Sequence, residues 1–283
     1  MDNTFTAFSP CKLNLFLHII GQRSDGYHLL QSYFQLLDYG DLLSFTPLNH
    51  DAEIYLSGNL ENLCDKNNLI YKAARLLQKT TDCTLGAEIA FQKEIPMGAG
   101  LGGGSSNAAT TLLVLNKLWH LQLSLADLMK LGQSLGADVP FFLGGQSAFV
   151  EGVGEQIHPM DYPERYYLVL VPKEAISTQE IFSHSKLTRT SKPITIRAFQ
   201  EQSAYVFGDD FRNDCQEIVR SLYPSVAESL DWLSQYAPAR LTGTGSCVFA
   251  EFDKQAEASK IASLIPKHLS YFVSKGLSSL PAF

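Results

Sequence analysis

No stretch of this chain approaches the roughly 18 consecutive apolar residues of a membrane-spanning helix, so a membrane protein is not expected. The first residues, Met1-Asp2-Asn3-Thr4-Phe5, lack the basic and apolar blocks of a secretory signal. Cysteine is sparse: five residues, at 11, 64, 83, 215 and 247, never form a C-x-x-C pair. This scatter argues against a disulfide framework and a zinc site, and makes small buried apolar side chains the expected role. Positive charge is also short, with 22 Lys and Arg against 29 Asp and Glu and a net charge of -7. Attraction to nucleic acid or to an anionic membrane is thereby disfavoured. A reducing cytoplasm is the expected setting, and local positive sites must do any phosphate work.

What is present is an ordinary folded composition, 45% hydrophobic and 18% charged over 283 residues, enough for one large or two modest domains. The densest signal is Pro96-Met97-Gly98-Ala99-Gly100-Leu101-Gly102-Gly103-Gly104-Ser105-Ser106, with five glycines in the seven positions from 98 to 104. Backbone N–H groups unshielded by side chains, followed by the positive end of a helix, hold a polyanion without a dedicated cation. The alternating segment Ala87–Gln92 predicts a strand before this loop. Ala108, Leu112, Leu115 and Trp119 predict one helical face after it. A flexible linker would have polar, unpatterned flanks.

Three common phosphate loops do not fit. No Lys-Ser or Lys-Thr follows the last glycine, as a Walker loop requires. Gly98, Gly100 and Gly103 match the dinucleotide spacing, but the acidic residue expected about 20 positions on is missing. Ser105 stands where the protein-kinase loop has Val.

Elsewhere, Leu13, Leu15, Leu17 and Ile19 alternate with Lys12, Asn14, Phe16 and His18, which predicts a strand. Lys12 and Asn14 then share a face, turned either to solvent or to a ligand. Gly21–His28 is turn chemistry ending in Asp25-Gly26 and two rings, Tyr27 and His28, either gripping a ligand or lying at the surface. A strand is expected near Leu42–Thr46 and a helix over Asn68–Gln78. Ser124 and Asp127 predict the capped start of a helix closed by Gly136. Asp138 follows, in Gly-Ala-Asp-Val-Pro, either as a capping residue or as a buried acid facing Lys12 and able to orient or deprotonate a hydroxyl.

A Gly-, Pro- and Asp-rich change over 151–165 suggests a domain junction. Beyond it the pattern predicts strands at Tyr166–Val171, Cys247–Phe252 and Tyr271–Ser274. Helices are predicted at Asp214–Leu222, Ser225–Tyr236 and Ala256–Ile265, as in a two-layer sheet with helices on one face. Arg240–Cys247 is a second glycine turn.

Together, the glycine loop with its Ser-Ser-Asn, the Lys-Leu-Asn strand, Gly-Ala-Asp-Val-Pro and Thr-Gly-Thr-Gly-Ser resemble the GHMP kinase superfamily. Pro10–Leu15, Arg23–His28, Asp65–Ile70 and Gly243–Gly245 resemble those members that use ATP to phosphorylate the 2-hydroxyl of a cytidine-diphosphate-linked methylerythritol, for isoprenoid precursors. The resemblance implies an α+β fold of two domains: an N-terminal one like ribosomal protein S5 (1–155) and a C-terminal two-layer α+β one (156–283), with the active site in the cleft between them. It implies Asp138 as the group that accepts or orients the hydroxyl proton and Lys12 as its cationic partner. ATP would be held by Pro96, Met97, Gly98, Ala99, Gly100, Leu101, Gly102, Gly103, Gly104, Ser105 and Ser106, with Asn68, Leu69 and Lys93 near the adenine and ribose. Asn14, Tyr27, His28, Thr178, Phe182 and Gly243 would hold the cytidyl substrate, Tyr27 and Phe182 by stacking and His28 by hydrogen bonding.

Mg²⁺ is expected with ATP, its protein ligands unassigned beyond the hydroxyl of Ser105 or Ser106. A monomer or weak homodimer is expected. Ala99 stands where the family often has glycine, and Ser177-Thr178-Gln179 lacks the proline usual beside the substrate threonine. The alternatives are another kinase of the same superfamily (homoserine, mevalonate or galactose type), a non-catalytic ATP-binding module, and a dinucleotide oxidoreductase.

Overall fold

The computed structural model describes residues 4–49, 51–202 and 210–280. Strand β1 (Phe5–Gln22) and strand β2 (His28–Leu48) form a long antiparallel pair, joined by a turn in which Arg23 N donates to Tyr27 O at 2.7 Å. Gly26 has φ +90° there, a conformation that suits a residue without Cβ. Strand β3 (Ile54–Gly58) lies parallel to β4 (Gly86–Gln92), and β4 pairs with β2. Strand β5 (Ala148–Glu151) also pairs with β2, and forms a hairpin with β6 (Gln156–Pro159). In the second half, β7 (Tyr166–Val171) lies between β9 (Val248–Phe252) and β10 (Ser270–Leu277), with β8 (Ala239–Leu241) outside β9.

Strand β10 joins the halves. Over most of its length it pairs with β7, then Gly276 and Leu277 pair with Leu37 and Leu36 of β2. The sheet thus runs β3-β4-β2-β10-β7-β9-β8. The expected division between 155 and 156 falls in the turn of the β5–β6 hairpin.

The helices are α1 (Leu69–Thr81), α2 (Gly103–Leu118), α3 (Leu125–Leu135), α4 (Val139–Gly144), α5 (Thr178–Ser183), α6 (Ile196–Gln202), α7 (Gln216–Leu222), α8 (Pro224–Leu233) and α9 (Gln255–Ala262). Three cores result. Phe34, Leu36, Leu43 and Phe45 of β2 pack with α1, α2 and α4. Leu13, Leu15 and Phe16 of β1 meet Tyr167, Val169 and Phe249 of the second half. On the other face of β7, Leu168 and Leu170 pack under α7, α8 and α9 through Val219, Leu230 and Ala262. The α+β class is as expected, and no helix among the described residues is long and apolar enough to cross a membrane.

Several local expectations change. Strand β1 does not alternate simply: its pairing with β2 shifts register between Asn14 and Leu17, so Leu13 and Leu15 enter one core and Leu17 and Ile19 another. A bulge re-aims the side chains beyond it. Helix α2 starts inside the glycine run, at Gly103 rather than near Asn107. Helix α7 starts two residues late because Asp214 is engaged elsewhere, its carboxylate accepting from Ile19 N at 2.7 Å and Ser191 Oγ at 2.6 Å. Helix α8 begins on Pro224, which suits a first-turn position, and β10 extends three residues beyond the expected Ser274.

Candidate active site

The glycine run lines a cleft of about 620 Å³ between the two halves. Gly98, Gly100 and Gly102 adopt φ of +62°, +78° and +72°, and Gly102 caps α2, whose first turn carries no acidic residue. The positive end of a 16-residue helix therefore opens onto the cleft. The loop is tied to what surrounds it. Lys12 N donates to Leu101 O at 3.0 Å, Cys247 N to Ala99 O at 3.2 Å, and Thr242 Oγ1 to Gly100 O at 3.3 Å.

Lys12 and Asn14 face this cleft rather than solvent, 4% and 3% exposed. Lys12 Nζ lies 3.5 Å from Asp138 Oδ2, donates to Asn14 Oδ1, and sits 4.7 Å over the Phe34 ring. Asp138 precedes α4, yet its side chain makes no capping bond, so the choice between cap and lysine partner goes to the lysine. Asn14 Nδ2 donates to Ser32 Oγ at 2.9 Å and Asn14 N to Thr242 Oγ1 at 2.9 Å, which carries β1 across to the second glycine turn. Gly243 and Thr178 line the same cleft, and the hydroxyls of Thr178 and Thr244 are 3.0 Å apart.

Lys93 lines the cleft but its charge is spent: Nζ pairs with the fully buried Asp41 and lies 3.3 Å from Asn107 Oδ1. Asp41 Oδ1 also accepts from Glu94 N and Ile95 N at 2.8 Å each, fixing the entry to the glycine loop. Asn107 Nδ2 donates to Asp41 Oδ2 and to Ser9 Oγ. The expectation for Ser106 is corrected: its hydroxyl is fully buried 2.8 Å from Ser9 Oγ, outside the cleft lining, because it follows α2 inward. Ser105 and the rest of the run, Pro96 to Gly104, do line it. Asn68 lines the cleft as the cap of α1, its Oδ1 accepting from Ile70 N at 2.9 Å and its Nδ2 donating to Leu63 O, with Leu69 beside it.

At the far end Phe182 lines the cleft; His28 is not itself among the lining residues but stacks on Phe182, centroids 5.1 Å apart and planes at 18°. Burial, then the Arg189 charge, lower the His28 pKa from its ordinary value. Tyr27, adjacent in the chain, is also outside the lining: it is 65% exposed, it follows Gly26 in the turn, and its backbone N donates to Asp25 Oδ1 at 3.2 Å. Sequence reasoning missed Asp41, Asn107 and Arg189. Asp41 reads as a turn acid after Gly40, Asn107 as a helix residue, and Arg189 as one charge in a loop. The five cysteines are unpaired thiols; burial pushes Cys215 up to about 12 and raises Cys11 and Cys247 as well, so these three stay protonated.

The family model of the GHMP kinases N terminal domain matches residues 68–146, and that of the GHMP kinases C terminal domain matches 195–270. The chain is 50% identical over 268 residues to the 4-diphosphocytidyl-2-C-methyl-D-erythritol kinase of Nitrosococcus oceani, covering 95% of this chain and 93% of the relative. It is 49% identical over 279 residues to the kinase of the same name from Mannheimia succiniciproducens, covering 99% and 90%. A solved 4-(cytidine 5'-diphospho)-2C-methyl-D-erythritol kinase superposes with a TM-score of 0.83 at 28% identity, over 96% of this chain and 99% of that one. Methanococcus jannaschii mevalonate kinase superposes at 0.68 with 16% identity, over 97% and 99%, a likeness of fold alone.

Proposed function

The chain belongs to the GHMP kinases, and from that membership we propose that it transfers the γ-phosphoryl group of ATP to the 2-hydroxyl of 4-diphosphocytidyl-2-C-methyl-D-erythritol, giving the 2-phosphate and ADP. The observation that carries the reading is the Lys12–Asp138 pair at 3.5 Å, set in one cleft with the glycine loop. Phosphoryl transfer asks chiefly for positioning and charge stabilisation. Asp138, 29% exposed at the side chain, accepts or orients the proton of the 2-hydroxyl, whose oxygen then bonds the γ-phosphorus as the bond to the β-phosphate oxygen breaks. Lys12 holds Asp138 in place and offsets the negative charge gathering on the transferred group. The backbone N–H groups of the loop and the end of α2 hold the remaining phosphate charge.

A divalent cation such as Mg²⁺ fits this cleft only as one that arrives with the nucleotide. Among the described residues no three Asp, Glu, His or Cys side chains converge as a cage, whereas Ser105 Oγ and the Asp138 carboxylate both line the cleft. Of these the Ser105 hydroxyl would hold it, Asp138 being paired with Lys12, and it would supply charge neutralisation at the phosphates. With Ser106 buried, the hydroxyl is that of Ser105. Lobes at 1–155 and 156–283, a cytoplasmic setting suited to unpaired thiols, and action as a monomer or weak homodimer belong to the same reading.

The test is turnover of the purified protein, followed as ADP release and as the new phosphomonoester by ³¹P NMR. The cytidyl substrate is expected to react, and homoserine and mevalonate are not. In the same assay Asp138→Asn is expected to lower kcat by about 100-fold or more, the range for a lost proton acceptor. Preference for homoserine or mevalonate would overturn the substrate, and undiminished turnover by the variant would remove Asp138 from the chemistry.

A further inference from the structure

Arg189 lies in the segment after α5, away from the glycine loop, and makes four hydrogen bonds to neutral acceptors. Its Nε donates to His28 Nε2 at 3.0 Å, Nη1 to Leu187 O at 3.1 Å, and Nη2 to Phe182 O at 2.9 Å and His184 O at 3.1 Å. No carboxylate among the described residues pairs with it. One guanidinium thus grips both members of the stacked pair, the ring of His28 and the backbone of Phe182.

We infer that Arg189 is a positioning residue for the substrate end of the cleft: it fixes His28 as the tautomer protonated on Nδ1 and holds that ring parallel to Phe182, so that Nδ1–H is the group offered to a pyrimidine. The inference rests on the proposed cytidyl substrate for its ligand. The chemistry is direct. A guanidinium is always protonated and only donates, so the Nε2 that receives its N–H carries a lone pair. In a neutral imidazole the proton then resides on Nδ1, opposite to the tautomer that free histidine favours in water. Nδ1 has no hydrogen-bond partner among the described residues, so its N–H is uncommitted beside the cleft-lining Phe182. The matching atoms on a cytosine ring are its carbonyl oxygen and unprotonated ring nitrogen, both acceptors. Burial and the uncompensated Arg189 charge lower the pKa of His28 and keep the ring neutral.

The experiment combines ¹⁵N NMR of the histidine rings in the full-length protein with kinetics of Arg189→Met and Arg189→Lys. In the wild type, Nε2 of His28 is expected to resonate as an unprotonated nitrogen and Nδ1 as a protonated one. In Arg189→Met the proton moves largely to Nε2. The KM for the cytidyl substrate rises about ten- to a hundred-fold, the effect of losing an oriented hydrogen bond, with the KM for ATP little changed and kcat falling far less than kcat/KM. Arg189→Lys, with one donor in place of the fork, is expected to fall between the two. An Nε2–H tautomer in the wild type, or equal losses in both KM values, would overturn the inference. Failure of the wild type to phosphorylate the cytidyl substrate would overturn the functional reading instead, because the tautomer is read from the ring nitrogens without substrate. The wild-type spectrum decides the tautomer even if neither variant folds.

Discussion

His18 lies on β1 with 3% of its surface exposed, and neither ring nitrogen has a hydrogen-bond partner among the described residues. Phe16 packs edge-on against it at 5.0 Å. Burial lowers its pKa from the ordinary 6.5; Asp214 and Asp210 oppose the shift, and Arg212 and Arg240 reinforce it. The unfolded chain therefore takes a proton, as pH falls below about 6.5, that the folded protein refuses. The associated stability is complete above that pH and is lost on acidification towards the lowered folded value, at up to about 1.4 kcal/mol per pH unit. His18→Phe removes the titration and also an unsatisfied buried donor, a change that is near neutral or stabilising when the shape is kept. Urea midpoints at pH 7.5 and 5.5 check this: the drop on acidification is expected to be larger in the wild type than in the variant. Equal drops would take His18 out of the pH response.

At the scale of elements, the two glycine turns meet at Gly100. A Cβ there would stand 2.3 Å from Thr242 O and 3.1 Å from Gly245 O, on a backbone at φ +78°. Neither neighbour is a side chain that could swing aside. Left-handed strain of about 1–2 kcal/mol and overpacking of about 1–3 kcal/mol add, so Gly100→Ala is expected to cost about 2–5 kcal/mol and to raise the KM for ATP by displacing the loop. Gly104, inside α2 with Leu69 Cδ1 at 3.4 Å as the nearest atom, is the contrast: Gly104→Ala is expected to leave thermal stability unchanged or raised. Thermal melts of both variants check the pair, and comparable losses would show that close packing at Gly100 is not the cause.

The same elements explain what was legible in the sequence. Helices α1 and α3 and strands β4 and β7 each have a clear period or cap, and their ends fall within a few residues of expectation. Strand β2 was expected only near Leu42–Thr46, because Gln31, Ser32, Gln35 and Asp41 are buried along it and break any alternation. Helix α4, with Pro140 in its first turn, and the short β3 and β8 carry no period long enough to read. In the cleft, Lys12 and Asp138 could be paired on charge alone. The role of Arg189 depends on a contact 161 residues away, which no local pattern encodes.

At the scale of the whole molecule, the cleft is a seam that also holds the protein together. Cys247 N and Ile176 N donate to Ala99 O and Gly98 O of the loop, Arg240 Nη1 donates to Leu15 O, and β10 pairs with strands of both halves. A fragment ending at Pro159 would keep β1 to β6 and α1 to α4, but would expose Leu13, Leu15, Phe16, Tyr33 and Leu37, all at 0% exposure in the whole chain. At about 1.5–3 kcal/mol for each large side chain fully returned to water, even partial exposure of these five removes several kcal/mol, a large share of the roughly 5–15 kcal/mol that a whole domain retains. The fragment is therefore expected not to fold or bind ATP, although it carries the entire glycine run. The intact chain is expected to unfold in one calorimetric transition whose van't Hoff and calorimetric enthalpies agree. Two resolved transitions, or a folded fragment 1–159, would mean that the lobes stand alone and that the seam serves the site without serving stability. One transition, shifted upward as a unit by ATP, would mean that the interactions shaping the phosphate loop are among those the fold needs to exist.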